Sequence, residues 1–588
     1  MIEKTMSEKP HSMISRREFL RIGAVVTAGM FTGVTRIETS VPTADMVFVN
    51  GMVITVDRSN SIVQAVAIRN GTILEAGTKE AVSQFIGNTT KVIDLAGKTM
   101  TPGLIDSHGH LPHFGARERN MVKLQGLETK EEVLERLAER AKRTPPGRFF
   151  SGWGIESNDL AFMNRRDLDR ITTEHPVLAV HTTGQWGFAN SYALKAAGID
   201  RSTPNPPGGL VRKAPNGEPT GLLIHYPALY LVRRIAPPLS DEEIGKNIHH
   251  AAMLYAGDGV TTVQDNFFDM SEISANRHAG VYFGQVLSGS LPVRVKIWPY
   301  IPSIREASFA VRELVQSQPQ RSDSPFADVI KYKKEKPEGF AKVWGGMKLA
   351  IDGGGPTSLW YRGERSVTLH SIEDLHSMVK LFHQAGQQVS VHAVGDKAVD
   401  VMLDAFEEAL KAQPREDCRH RIEHALCPQT TSLERIKRLG IVISTHPQWL
   451  YLWGEKMGKL KGQRVIPLRS YMGHGISVAI GADPPAFSLW QPQYALWEAV
   501  ARTTKGGYHF TPEEAISIRD ALRMQTIGSA YAAFLEKEIG SIEKGKKADL
   551  VVWDRNFYTI PADEIKDAKA LLTMVGGKIV YERKPEKQ

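Results

Sequence analysis

Cysteine is scarce in this chain, because only Cys418 and Cys427 occur among its 588 residues. The eight residues between them, RHRIEHAL, are predicted to form a strand, and such a strand spans roughly 26 Å, far beyond the reach of a disulfide. The two thiols are therefore not expected to pair. Zinc sites built from Cys-x-x-Cys pairs are excluded, and the chain length excludes a small disulfide-stabilised scaffold.

Charge is also limited, at 23 % of residues against 42 % hydrophobic residues, and this composition excludes a disordered chain. The net charge is +8, but lysine and arginine are spread along the sequence without a dense basic cluster beyond the N-terminal region. Nucleic acid is therefore not expected as a partner. At about 100–200 residues per domain, the length predicts roughly three to five units or fewer large ones.

The N-terminal region lacks a hydrophobic run that could span a membrane, since the uncharged stretch 22–35 is short and rich in glycine and threonine. It follows SRREFLR at 15–21, in which Arg16 and Arg17 are adjacent. Residues 1–44 resemble a twin-arginine (Tat) export signal. This resemblance implies export by the Tat machinery to the periplasm or the exterior, with uncleaved membrane anchoring as an alternative. A basic patch before a short helix is the other interpretation.

Both ends of the remaining chain have strand-like sequence. Residues 45–78 contain short apolar runs separated by the dipeptides Asn50-Gly51 and Asn70-Gly71, and the C-terminal segment contains Gly576-Gly577 in a similar setting. Such dipeptides between apolar runs predict hairpins. The sequence thus predicts one small β-sandwich domain assembled from residues 45–100 and 536–588.

Strand and helix patterns alternate in the central region, residues 101–535. Eight strand-plus-helix units predict an α/β fold, a (β/α)8 TIM barrel. The first and second strands are too far apart for one connecting helix, so an insertion is expected at about 112–240, including a helix capped by Thr129 and Glu132. The candidate strands cover 103–111, 260–267, 293–301, 347–354, 388–396, 419–426, 441–447 and 477–485.

Polar residues stand where these candidate strands end, which is where TIM barrels carry their active sites. The first strand ends in His108-Gly109-His110, and the i, i+2 spacing places both imidazoles on one face. Imidazoles and carboxylates are typical ligands of zinc and similar metals. Each residue alone has an ordinary structural explanation, but their joint placement at strand ends favours a metal site. The later strands add Lys348, His392, His424 and Asp483.

Several motifs resemble the amidohydrolase superfamily, and more narrowly amidohydrolase family 3, the YtcJ-like branch. The superfamily resemblance lies in TPGLIDSHGH at 101–110, IEHA at 422–425, GAD at 481–483 and GSIEKGKKADLVVWD at 540–554. The resemblance to the branch lies in the long first insertion, GEPTGLL at 217–223, MKLAIDGG at 347–354 and VHAVGDKAVD at 391–400. It extends over essentially all residues from 45 onward.

The resemblance implies a binuclear centre of two divalent metal ions, with zinc as the default. His108, His110 and Asp483 would hold one ion, and His392 and His424 would hold the other. Lys348 would bridge the two ions as a carbamate formed with CO2, because a bare ammonium group cannot ligate a cation. The alternative for Lys348 is an ordinary charged lysine that pairs with Asp352 or another carboxylate.

The activity implied by the resemblance is hydrolysis of a carbon–nitrogen bond other than a peptide bond, of amide, formamide or N-acyl type. A hydroxide bridging the two metals would attack the carbonyl carbon, with Asp483 as general acid and base and His424 helping to stabilise the oxyanion. Three alternatives remain open: an ester, lactone or carbamate hydrolase on the same site, a mononuclear deaminase, and a catalytically dead binding protein.

Around this site the chain departs from the usual pattern of the branch. Gln185 stands where relatives usually have histidine, and a neutral amide cannot replace imidazole as an acid. His446 stands where glutamine is common. These differences suggest a small-molecule substrate different from the usual ones of the branch, and the resemblance also implies a homodimer. The candidate pocket residues are His181, Gln185, Trp186, Asp265, Arg421 and His446.

Overall fold

The computed structural model describes residues 42–266, 273–318, 326–354, 357–359, 368–457, 464–486 and 489–584. The predicted export signal lies outside this part of the chain, apart from its last three residues. Within the described ranges, no helix combines the length and apolar character needed to cross a membrane. Cys418 and Cys427 are both buried free thiols.

Eight parallel strands, β1 to β8, form the centre of the structure in two sheets. The first sheet has the order β3-β2-β1 and the second the order β4-β5-β6-β7-β8. Helices follow most of these strands, as the alternating pattern of the sequence predicts. The strands are β1 Leu104–Gly109, β2 Val260–Asp265, β3 Arg294–Ile297, β4 Met347–Ala350, β5 Val389–Ala393, β6 Arg421–His424, β7 Val442–Thr445 and β8 Val478–Ile480.

Backbone hydrogen bonds join the two sheets at both edges. Between β3 and β4, the Lys348 N–H donates to the carbonyl of Pro299 (2.9 Å) and the Ile301 N–H donates to that of Lys348 (3.0 Å). Between β8 and β1, the Asp483 N–H donates to the His108 carbonyl (2.9 Å). Gly481 permits this approach, because a Cβ there would lie 2.7 Å from the His108 nitrogen. The result is a TIM-barrel-type α/β fold.

The helices bury one apolar face each against the strands. The helix Ile372–Gln384 is typical: the Ser371 hydroxyl accepts from the Asp374 N–H at its start, and its buried apolar residues recur at helical spacing. The α-helices are Lys79–Ser83, Leu111–Asn120, Lys130–Lys142, Arg165–Asp169, Ser191–Ala196, Tyr226–Arg233, Asp241–Gly257, Ile273–Ser288, Ile304–Phe309, Ala327–Glu335, Pro337–Val343, Ile372–Gln384, Asp396–Ala412, Thr430–Arg438, Trp449–Met457, Leu468–Gly473, Pro492–Ala501, Ile518–Arg523 and Ser529–Ala532.

The segment between β1 and β2 builds a mixed six-stranded sheet with its own apolar clusters. Its helix Lys130–Lys142 begins with the predicted reciprocal cap between Thr129 and Glu132. This sheet accounts for the length of the insertion predicted at about 112–240. In spatial order its strands are Leu210–Lys213, Pro219–Ile224, Trp186–Ala189, Val177–His181, Phe150–Ile155 and Val122–Lys123.

The two ends of the described chain pair with each other, because Thr99–Pro102 runs antiparallel to Leu550–Trp553. One sheet of four strands and one of six contain the terminal segments. The four-stranded sheet contains Met46–Val49, Ala65–Arg69, Thr72–Gly77 and Lys91–Asp94. The six-stranded sheet contains Met52–Ile54, Ile62–Val63, Thr99–Pro102, Leu550–Trp553, Ala570–Val575 and Lys578–Glu582.

Two of the three predicted hairpin turns are confirmed. Asn70-Gly71 and Gly576-Gly577 each join antiparallel neighbours, and all four residues have positive φ, as a two-residue type I′ turn requires. The prediction of a hairpin at Asn50-Gly51 is wrong, because the strands on either side belong to different sheets. The positive φ of Asn50 (57°) allows a sharp bend there, but it does not make the flanking strands pair.

Candidate functional site

The ends of β1 and β8 carry three of the predicted ligands. Asp483 Oδ1 lies 2.8 Å from His110 Nε2 and 3.7 Å from His108 Nε2. The buried carboxylate of Asp106 connects the two strands beneath them, since it accepts hydrogen bonds from the N–H groups of His108 (3.0 Å) and Ala482 (2.8 Å). These bonds hold both imidazoles and the Asp483 carboxylate at one edge of the strands.

The ends of β5 and β6 bring His392 and His424 together, with ring centroids 4.2 Å apart. At the end of β4, the buried carboxylate of Asp352 accepts from three backbone N–H groups, two of which, on Val394 and Gly395, belong to the turn after β5. The backbone of His424 has a φ of 76°, which is unusual for a residue with a side chain and typical of functional sites.

Lys348 on β4 is 3 % exposed, and its Nζ has no hydrogen-bond partner among the described residues. An ion pair with Asp352, the alternative for this lysine, is not found in the described part of the chain. Burial lowers the pKa of Lys348 to about 8, although the negative charges of Glu423 and Asp483 oppose this shift. The amine is thus partly neutral near pH 8, as carbamate formation requires.

All six predicted ligands line one cavity at the C-terminal ends of the strands. They come from β1, β4, β5 and β6 and from the turns that follow β1 and β8. The lining includes His108, His110, Lys348, His392, His424 and Asp483.

The donor atoms of this cluster suit a divalent metal ion. Burial lowers the pKa of His110 to about 3 and those of His108, His392 and His424 well below the ordinary value, so the rings are neutral and offer lone pairs. The ring nitrogens of His424 and Nε2 of His392 have no hydrogen-bond partner among the described residues. A buried polar atom without a partner costs about 1–3 kcal/mol, and a bound cation would remove that cost.

Glu423 holds the ring of His108 in place through a hydrogen bond. The sequence alone did not predict this role. Its Oε2 lies 2.6 Å from His108 Nδ1, and its Oε1 accepts from Ser390 Oγ (2.7 Å) and Arg421 Nε (2.8 Å). Burial opposes the charge of Glu423, but Arg421 and Lys348 lower its pKa overall, so it is ionised. His108 therefore donates from Nδ1 and keeps its Nε2 lone pair for the cavity. The one feature of the sequence that could have indicated this role is that Glu423 directly precedes His424.

The candidate pocket residues lie in different places. Gln185 lines the cavity, and its Nε2 donates to the Tyr226 hydroxyl (2.9 Å). His181 and Trp186 stack on each other with centroids 4.3 Å apart and are not among the described residues that line the cavity. Three further candidates also lie behind its surface, namely Asp265, Arg421 and His446.

These three residues have distinct surroundings. Asp265 accepts from the Leu111 N–H (2.7 Å) and from the Tyr282 hydroxyl (2.8 Å). Arg421 is fully buried beneath the ligand cluster, where it binds Glu423. The ring of His446 packs against two predicted ligands, with centroids 5.3 Å from His108 and 4.9 Å from His424.

The insertion supplies the wall opposite the strands. Its Trp153 Nε1 donates to the carbonyl of Pro485 (3.1 Å), two residues after Asp483, so the insertion contacts the turn after β8 directly. From the insertion the lining takes Trp153, Thr183, Gln185, Tyr226 and Arg233. The remaining lining residues, which the candidate pocket set did not contain, are His113, Tyr300, Ala350, Pro485 and Ala486.

Known proteins resemble this chain over most of its length. The model of the amidohydrolase family matches residues 91–581. The chain is 29 % identical to an N-substituted formamide deformylase of Arthrobacter pascens, over 92 % of this chain and 98 % of the relative. It is 28 % identical to the putative amidohydrolase YtcJ of Bacillus subtilis, over 91 % and 98 %. An uncharacterized metal-dependent hydrolase of Pyrococcus horikoshii superposes with a TM-score of 0.65 at 25 % identity, covering 88 % of this chain and 99 % of that structure.

Proposed function

Because the chain belongs to the amidohydrolase family and is a hydrolase of carbon–nitrogen bonds, we propose that it cleaves a non-peptide amide of formamide or N-acyl type. The observation that carries this proposal is the convergence of four imidazoles, one lysine and one carboxylate in one cavity. Similarity to a formamide deformylase over nearly the whole chain supports the substrate class. We place the site on a closed (β/α)8 barrel of residues 101–535, with a β-sandwich made of residues 45–100 and 536–588.

The proposed centre holds two divalent ions, with zinc favoured by the nitrogen and oxygen ligands. His108, His110 and Asp483 would hold one ion and His392 and His424 the other, and a carbamate on Lys348 would supply a further anionic oxygen ligand. When bound, such ions make a water molecule acidic enough to attack near neutral pH and polarise a carbonyl oxygen. The unpartnered nitrogens of His392 and His424 support this assignment.

The protein's own groups then handle the protons. Without a bound cation, burial raises the pKa of Asp483 to about 7, opposed by His446 and Lys348. We assign Asp483 to take the proton of the attacking water and deliver it to the leaving nitrogen. His424 also lines the cavity, and we assign it to stabilise the negative charge on the substrate oxygen.

The part of the cavity that the insertion forms limits which substrates can bind. Trp153 and Tyr226 present aromatic surface, and Gln185 presents an amide beside them. Such a wall accommodates an apolar group that carries a polar atom. We propose that the group on the substrate nitrogen lies against this wall, while the acyl carbon lies at the strand ends.

The test is an assay of purified protein whose metal content has been measured without added chelator. We expect about two divalent ions per chain and turnover of N-substituted formamides or N-acyl amines, with an ester of the same acyl group as the comparison. Hydrolysis of the ester without any amide would overturn the assignment of the bond. One ion per chain would overturn the bridging role of Lys348, and a metal-loaded protein without activity on any of these substrates would favour the binding-protein alternative.

We further propose that residues 1–44 direct export through the Tat machinery, on the strength of the sequence SRREFLR. The variant Arg16→Lys with Arg17→Lys keeps the charge but removes the paired arginines. We expect it to retain the protein in the cytoplasm, as measured by fractionation of the native host. The matched control Arg36→Lys, beyond the uncharged stretch, should leave export unchanged. Equal export of the double variant would contradict the proposal.

A further inference from the structure

His446 directly follows β7 and is completely buried beside the proposed metal centre. Its Nδ1 lies 3.0 Å from the carbonyl oxygen of Gly481, in the turn after β8. A carbonyl oxygen only accepts hydrogen bonds, so Nδ1 must carry the proton and donate it. The other ring nitrogen, Nε2, therefore carries a lone pair.

That lone pair has no hydrogen-bond partner among the described residues. Nε2 is buried, and a buried acceptor without a partner costs about 1–3 kcal/mol unless another group satisfies it. Ligand atoms of His108, His424 and His446 all lie within 4.8 Å of one another. Glu423 occupies Nδ1 of His108, so the free nitrogen of that ring is Nε2. Three neutral imidazoles thus share one small volume.

Trp449 fixes the orientation of two of these rings. Its indole is stacked on His424 (centroids 5.1 Å apart, planes at 21°) and on His446 (4.9 Å, 26°). An aromatic face holds an imidazole plane but does not supply a hydrogen to its in-plane lone pair. The packing therefore orients His446 without satisfying Nε2.

We propose that His446 is a metal ligand and completes a three-imidazole face with His108 and His424. This inference rests on the proposed metal-dependent function. It adds a ligand from β7 and, unlike the division of ligands that the family resemblance implies, it places His108 and His424 on the same ion, because their ligand atoms and that of His446 lie within 4.8 Å of one another. Zinc–nitrogen bonds measure about 2.0–2.1 Å, so two nitrogens on one ion lie at most about 4 Å apart. The ligand atoms of the three residues lie within 4.8 Å of one another, so a small movement of the rings brings them within that limit. Three imidazoles around one ion form an established zinc ligand set.

Cobalt(II) provides a direct readout, because its visible absorption depends on the number and type of its ligands. The metal-free protein is titrated with Co²⁺ alone, and affinity is measured by calorimetry. The variants are His446→Gln, which removes the ligand, and His446→Cys, which replaces the imidazole by a thiolate. His376→Gln and His376→Cys are the matched controls, since His376 lies on the helix Ile372–Gln384 and pairs with Glu408.

We expect His446→Gln to bind Co²⁺ roughly tenfold to hundredfold more weakly, the range seen when support of a metal site is removed. His446→Cys should gain a sulfur-to-cobalt charge-transfer band in the near ultraviolet. This band should be absent from the wild type and from His376→Cys, which contain the same two native cysteines. Near-ultraviolet circular dichroism establishes that each variant is folded.

Wild-type affinity in His446→Gln, together with no new band in His446→Cys, would overturn the inference while leaving the proposed function standing. A wild-type protein that binds no Co²⁺ and no Zn²⁺ would instead overturn the proposed function itself. An altered KM with unchanged metal affinity and an unchanged cobalt spectrum would identify His446 as a substrate contact and also contradict its role as a ligand.

Discussion

The two walls of the cavity are built differently. On the strand side, three buried carboxylates each accept several hydrogen bonds: Asp106 three, Asp352 three and Glu423 four. On the insertion side, the Gln185 amide donates to the Tyr226 hydroxyl, and the Trp153 indole donates to the Pro485 carbonyl in the turn after β8. The first wall is fixed by the sheet, whereas the second is attached to it by a few contacts.

This difference indicates that the two walls have different roles in the reaction and in substrate selection. The strand wall holds backbone conformations that side chains rarely adopt, with φ of 76° at His424 and 55° at Asp483. Such conformations cost about 1–3 kcal/mol each and persist only where the surroundings determine them. We therefore expect changes on the strand wall to remove the reaction and changes on the insertion wall to alter which substrate reacts.

The largest effect is expected at Asp483. Replacing it by asparagine removes the proton acceptor while keeping the side-chain shape, so kcat should fall about 10²–10⁴-fold. The measurement is steady-state kinetics on metal-loaded protein. Asp404→Asn, on the exposed side of the helix Asp396–Ala412, is the control and should be as active as the wild type. Near-normal turnover by Asp483→Asn would remove this residue from the mechanism.

Next in size is the effect of Glu423→Gln. Loss of the charge weakens the support of His108 and leaves Arg421 buried without an ionic partner, so metal affinity should fall roughly tenfold to hundredfold and stability by about 3–5 kcal/mol. Calorimetric metal titration and chemical denaturation measure the two effects separately. Asp549→Asn breaks the ion pair with Arg294 outside the cavity. It should reduce stability alone, and an equal loss of metal affinity in this control would contradict the specific role of Glu423.

On the insertion wall, Gln185→Ala should alter selectivity. The substitution removes the partner of the Tyr226 hydroxyl and one polar atom of the wall, which corresponds to about 1–2 kcal/mol, or roughly 5–30-fold in kcat/KM. The change should differ between N-substituents of different size, and metal content should stay at the wild-type value. Gln84→Ala, near the helix Lys79–Ser83, is the neutral control. A uniform loss of kcat for all substrates would mean that this wall takes part in the reaction.

The smallest effect on activity is expected for a carboxylate outside both walls, where the change concerns stability. Glu498 is fully buried on the helix Pro492–Ala501, but only one backbone N–H, that of Thr503, donates to it among the described residues. Burial raises its pKa to about 8 from 4.5, so folding favours the neutral acid. The associated stability is complete below pH 4.5 and is lost as the pH rises through about 8.

The variant Glu498→Gln carries a side chain that is neutral at every pH, so it tests whether ionisation of Glu498 lowers the stability of the protein at high pH. Near pH 4.5 the variant should unfold at the same temperature as the wild type. Near pH 8.5 it should unfold at a higher temperature, because its free energy of unfolding exceeds that of the wild type by an amount on the order of a few kcal/mol. Thermal unfolding at the two pH values measures the difference. A variant that is equally stabilised at both values would show that packing, rather than ionisation, distinguishes Glu498 from the well-satisfied carboxylates of the strand wall.

The strand wall was largely accessible to prediction from sequence. His108, His392, His424 and Asp483 stand at the ends of apolar runs, and a local alternation of residue types is enough to place them at one edge of a barrel. The family resemblance added their shared role. Glu423 was missed because its importance comes from a contact with His108, 315 residues away in the chain.

The insertion wall could not be predicted in the same way. Trp186 and Gln185 are neighbours in sequence, yet only Gln185 lines the cavity, because the stacking of Trp186 on His181 directs the indole into the wall. Strand alternation indicates which face a residue occupies, but side-chain packing between distant segments decides which group reaches the cavity. The Asn50-Gly51 dipeptide shows the same limit of prediction from local sequence, because the pairing of its flanking strands depends on residues far along the chain.

The pairing of Thr99–Pro102 with Leu550–Trp553 has a consequence for biosynthesis. About 450 residues separate these strands, and at translation rates of about 5–20 residues per second the first strand waits roughly 20–90 s for its partner. Its other edge pairs with Met52–Ile54, which is synthesised earlier, so the backbone groups that face Leu550–Trp553 are the ones available for pairing with other chains during that interval. The strand leads directly into β1, which carries His108. The ribosome must therefore pass residue 553 before the segment that leads into β1 gains this partner, and shielding of the segment by a chaperone would be most useful in that interval.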